Sequence, residues 1–116
     1  MKNKKLKFYI VYEGDIGGSS WIREVNTSIK NARNAAKFYQ NNNSVCDEIF
    51  IVKNILKFEN WADFNDAKNL LKSIKDECFP KEKVVNEIFD LAEDYDPMFD
   101  SETVDSYLVI KQPRRG

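Results

Sequence analysis

Leu6-Lys7-Phe8-Tyr9-Ile10-Val11-Tyr12 leads into Glu13-Gly14-Asp15-Ile16-Gly17-Gly18-Ser19-Ser20 and then Trp21-Ile22-Arg23-Glu24-Val25. The first run is built from β-branched and aromatic residues. Its alternation puts Leu6, Phe8, Ile10 and Tyr12 on one face and Lys7, Tyr9 and Val11 on the other, the pattern of a strand. The Gly- and Ser-rich middle holds neither helix nor strand cheaply and reads as a loop. Two β-rich runs joined through such a loop predict a hairpin.

Outward from the hairpin, Asn26-Thr27-Ser28 supplies helix-capping side chains. Ile29, Ala32, Ala36 and Tyr39 follow at helical spacing with Ala35 alongside, while Lys30, Asn31, Arg33, Asn34 and Lys37 fall on the outer side. Asn41-Asn42-Asn43-Ser44 ends that helix. Glu48-Ile49-Phe50-Ile51-Val52-Lys53 reads as a central strand. Asn60 caps a second helix whose apolar stripe is Trp61, Phe64, Ala67, Leu71, Ile74 and Cys78. Pro80 stops it and opens a third helix, buried through Val85, Ile88, Phe89 and Ala92. Tyr107 to Lys111 reads as the last strand, ended by Pro113, and a frayed tail is expected over residues 112–116. The order β-β-α-β-α-α-β predicts an α+β fold, with a small, mostly antiparallel four-stranded sheet packed against three helices in one domain, 1–116. The regular β-α alternation of a doubly wound parallel fold is absent.

The chain has 116 residues, of which 42% are hydrophobic, enough for one core without metals or disulfides. It has no His, which excludes His-ligated metals, Ser-His-Asp and Cys-His catalysis, and His pH switching. Met1 to Lys5 imitates a signal-peptide basic region, but the apolar run behind it is short and interrupted by Lys7. No apolar run approaches the roughly 18 residues of a membrane span. A cytoplasmic setting with Cys46 and Cys78 as free thiols is the resulting expectation. The abundance of Lys, Asn and Ile points to AT-rich coding DNA, of bacterial or phage type.

Three motifs invite chemistry and fall short of it. The Gly14–Ser20 loop lacks the Lys-Ser/Thr ending of a phosphate cradle and leads into a strand. Asp94, Asp96, Asp100, Glu102 and Asp105 follow a calcium-loop spacing, but Met98 and Phe99 stand where an oxygen ligand and a turn-making Gly are required. Neither Cys has an activating neighbour. No cofactor, metal or catalytic residue is expected. Tyr9, Trp21, Phe58, Tyr95 and Phe99 fall at strand edges or in loops, where exposed aromatics serve as interface anchors.

Charge is the sharpest signal. Residues 1–58 carry ten basic and five acidic residues, whereas 59–116 carry eight basic and fourteen acidic. Between 84 and 105 there are eight acids and no Lys or Arg. Glu87, Asp90, Glu93 and Asp94 recur at helical spacing, and Asp96 and Asp100 extend them into a predicted loop. Tyr95 and Phe99 lie among them as apolar anchors. This ridge predicts a non-enzymatic binding protein whose acidic surface occupies a basic protein surface, such as the nucleic-acid channel of another protein. Small phage inhibitors of host defence nucleases are similar in size and charge. No direct nucleic-acid or membrane contact is expected. The competing readings are acids merely solvated and balanced by the basic N-terminal half, a self-associating module pairing its two charged faces, a small carboxylate-dependent enzyme, and weak nucleic-acid binding through the basic N-terminal half, which lacks the clustered aromatic-and-basic pattern of such surfaces.

Overall fold

A strand apolar on both faces must be covered on both sides. The computed structural model, which describes residues 4–14, 18, 20–41, 47–74, 81–93 and 100–109, meets that demand with helices above and below one sheet. The elements are β1 (Lys5–Gly14), β2 (Ser20–Asn26), α1 (Ile29–Asn41), β3 (Glu48–Lys57), α2 (Trp61–Ser73), α3 (Lys81–Leu91) and β4 (Ser101–Leu108). The expected order and α+β class are found. The sheet order is β2-β1-β3-β4, with every pairing antiparallel.

Each face of β1 founds a separate core. Leu6, Phe8 and Ile10 join Leu56 and Phe58 against Ala67, Leu71 and Ile74 from α2 and its C-cap, and Val84, Val85 and Ile88 of α3. Phe8 stacks on Phe89 with centroids 6.2 Å apart. On the other face Tyr9, Val11, Ile49 and Ile51 meet Ala32 and Ala36 of α1. Both alanines are fully buried, and their small side chains bring the helix backbone close to the sheet. The Ser28 hydroxyl accepts from the Asn31 N–H at 3.4 Å, and Asn60 Oδ1 accepts from the Asp63 N–H at 2.8 Å, so both predicted caps are made. The Glu93 N–H donates to the Lys57 carbonyl at 2.7 Å and ties the segment after α3 to the end of β3.

Several expectations need correction. The last strand, Ser101–Leu108, begins six residues before the expected Tyr107, so Glu102 and Asp105 belong to a sheet edge and not to an acidic loop; Ile110 and Lys111 of the expected strand lie outside the described residues. Edge strands tolerate charges because one side of the strand faces water. β3 runs on to Lys57. Tyr9 and Phe58 are buried rather than exposed anchors, while Trp61 of the predicted α2 stripe is 48% exposed beneath Lys4. Cys46, Cys78, Pro80 and the tail lie outside the described residues.

Candidate functional site

Turning Val84, Val85 and Ile88 inward obliges the residues between them to face out, and Glu87, Asp90 and, past the helix end, Glu93 are exposed. On α2 the same geometry buries Ala67 and Leu71 and sets Asp66, Asn69, Leu70 and Ser73 along the flank facing α3. Between the helices lies a groove of about 690 Å³, lined by these four residues and by Glu87, Asp90 and Leu91. Leu70 and Leu91 are half-buried and pack against the core, giving the groove an apolar floor. Asp66, Glu87 and Asp90 stand exposed on its rim. The Ser73 hydroxyl donates to the Leu70 carbonyl at 2.6 Å and so turns its hydrogen away from any occupant.

Of the eight residues expected to bind a partner, the structure describes four. Glu87 and Asp90 line the groove, Glu93 is exposed beyond it, and Asp100 is half-buried just before β4. Asp94, Tyr95, Asp96 and Phe99 lie outside the described residues. Asp66, Leu70 and Leu91 complete the groove and were missed by sequence reasoning. Leu70 sits beside the Ala67–Leu71 stripe and widens the apolar face of α2, which was the available signal.

Among the described residues, the basic half pairs with two acids of β4. Arg33 Nε lies 2.6 Å from Asp105 Oδ2, and Lys53 Nζ lies 3.7 Å from Glu102 Oε1. Asp105 raises the pKa of Arg33, by the hydrogen bond first and by its charge second. Burial, followed by the same Asp105, raises the Tyr107 phenol. Asp66, Glu87, Asp90 and Glu93 form no ion pair among the described residues. The cause is topological. α1, with Lys30 and Lys37, covers one face of the sheet, whereas α2 and α3 cover the other.

A second polar cluster surrounds Glu13, which is only 3% exposed. Between Val11 and Tyr12 the β1–β2 register shifts, leaving Arg23 unpaired across the strands as a β-bulge. The bulge swings Arg23 over the ring of Tyr39 at 4.9 Å and brings its Nε to 2.8 Å from Glu13 Oε1. That approach is an ion pair without hydrogen-bond alignment, for Oε1 accepts no hydrogen bond. The Trp21 indole N–H donates to Oε2 at 3.0 Å. The Tyr39 hydroxyl donates to Glu24 at 3.1 Å, and burial first, then the Glu24 charge, raises its pKa. A hollow of about 340 Å³ beside this cluster is lined by Arg23, Glu24, Val25, Asn26, Tyr39, Ile74 and Lys81. Its charges are of both signs.

Among the described residues no three Cys, Asp or Glu side chains converge as a metal site would require, and no helix is long and apolar enough to cross a membrane. The groove carboxylates Asp66, Glu87 and Asp90 stand exposed on an open rim. Comparison with protein-family models, curated proteins and solved structures finds no match to this chain.

Proposed function

We propose that the protein is a non-enzymatic binding protein whose α2–α3 groove docks a basic, partly apolar segment of another protein. The observation that carries this reading is the coincidence of the acids with the groove. Asp66, Glu87 and Asp90, without ion pairs among the described residues, rim the apolar floor made by Leu70 and Leu91. Charge without apolar contact gives steering but little affinity, and apolar contact without charge gives little selectivity. The groove offers both. A Lys/Arg-rich helix with one apolar stripe fits this chemistry, and nucleic-acid-binding surfaces of proteins are rich in such basic segments. An inhibitor acting through this face would cover a basic surface that otherwise binds phosphates.

The experiment is to recover the partner with the wild-type protein and compare two variants. Asp66→Lys/Glu87→Lys/Asp90→Lys reverses the rim, and Lys30→Gln/Lys37→Gln alters the opposite face while sparing the Arg33–Asp105 pair. The rim variant is expected to lose binding at least tenfold and the control to keep it. Loss by the control alone would assign function to α1.

A further inference from the structure

The two central strands outrun the helix that covers them. Tyr9 pairs with Asn26, just before α1 begins. α1 then runs toward the other end of the sheet. Arg33 reaches Asp105, which lies opposite Ile51, and Gln40 Nε2 donates to the carbonyl of Leu108, which lies opposite Glu48. The α1 face of β1 and β3 is therefore left open from Lys5 to Lys7 and from Lys53 to Lys57, with no described element over it.

What stands there is lysine. Strand alternation places Lys5 and Lys7 on the same face as Tyr9 and Val11, and Lys53, Ile55 and Lys57 on the same face as Ile49 and Ile51. Lys5 lies directly opposite Lys57, and Lys7 opposite Ile55. Lys5, Lys7 and Lys57 are exposed and form no ion pair among the described residues, while Lys53 reaches Glu102. Like charges directly opposite on neighbouring strands oppose folding. Ile55 belongs to neither core and stands half-buried among them.

We infer that this open, lysine-lined end of the sheet is a binding surface for the phosphodiester backbone of a single-stranded nucleic acid. Opposed residues on the two strands stand about 5 Å apart and alternate residues along a strand about 7 Å apart, so the lysines form a short flat row able to meet successive phosphates. Lysine serves as a point charge for phosphate, whereas carboxylate partners favour the planar fork of Arg, which this surface lacks. One half-buried isoleucine is too little apolar area to insert into a lipid surface or to form the core of a protein interface. No aromatic ring is exposed on this patch, so contact is to the backbone and not to the bases. Glu87 and Asp90 of α3 lie on the opposite side of the sheet, whereas Glu93, whose N–H donates to the Lys57 carbonyl, and Glu102, paired with Lys53, stand at the margin of the patch and oppose an anion there. This surface is independent of the groove reading.

The test is fluorescence anisotropy of a labelled single-stranded oligonucleotide titrated with the full chain at several salt concentrations. Three phosphate contacts at roughly −0.7 each predict a slope near −2 in log affinity against log salt, or about a 20-fold loss between about 50 and 200 mM. Lys5→Gln/Lys7→Gln/Lys57→Gln is expected to abolish binding at low salt, the single Lys57→Gln to reduce the slope by about one contact, and Lys30→Gln/Lys37→Gln to leave it unchanged. All three positions are exposed, and circular dichroism checks that the variants fold. The inference is overturned if the oligonucleotide does not bind at low salt, or if the folded triple variant binds as wild type. It is equally overturned if anionic vesicles or an acidic protein bind this face while the oligonucleotide does not.

Discussion

Glu13 shows how a single residue escapes a linear reading. Its charge marks it as the first residue of a loop after Tyr12, yet alternation places it on the inward face with Tyr9 and Val11. A carboxylate is tolerated there because a bulge ten residues further along delivers Arg23, and Trp21 delivers an N–H. Neither the bulge nor the pairing register leaves a mark in composition. Removing the cation leaves a buried charge without its counterion. Arg23→Met is expected to destabilise the fold by about 2 kcal/mol, less than a fully buried pair costs because Arg23 is 44% exposed. The double variant Glu13→Leu/Arg23→Met is expected to be more stable than Arg23→Met alone, since the unpaired charge is gone. Urea unfolding of the three proteins checks this ordering. Tyr39 gives a second residue-scale prediction. Its folded pKa is raised by burial and by Glu24, so the unfolded chain ionises first, near pH 10. The contribution is complete below that pH and declines as pH rises through the folded value. Stability measured on the alkaline side is expected to fall less steeply in Tyr39→Phe.

At the scale of elements, the strands and helices were legible where one face is apolar and the caps are explicit. The hairpin, the Ala-rich α1 and the Asn60 cap all announce themselves. β4 did not, because Ser101–Leu108 has no clean alternation: Glu102 and Asp105 interrupt it and a register shift leaves Val104 unpaired, so its acids are more readily read as a loop. The ion pairs from Arg33 and Lys53 that make those charges acceptable come from distant parts of the chain. Ala32 and Ala36 fall on the apolar stripe expected from helical spacing, and their small size, which that spacing does not explain, fixes the distance of α1 from the sheet. Ala36→Leu adds volume where Ala36 is fully buried against the sheet and is expected to cost about 1–3 kcal/mol. Thermal unfolding checks it.

At the scale of the molecule, the charge split of the sequence becomes a polarity across the sheet. The α3 half of the acidic ridge was legible from helical spacing, and the groove beside it was not, because it requires α2 and α3 to be packed. The lysine surface was less legible still. Lys5 and Lys7 meet Lys53 and Lys57 only through the antiparallel register of β1 and β3. The central claim is that the acidic groove, and not the basic face, docks a cationic protein segment. Its most direct test is a nuclear magnetic resonance titration of the labelled protein with a synthetic Lys/Leu amphipathic helix. Saturable shifts clustered at Asp66, Leu70, Glu87, Asp90 and Leu91, weakening as salt rises, are expected. Unmoved groove amides, or shifts concentrated on α1, would contradict it.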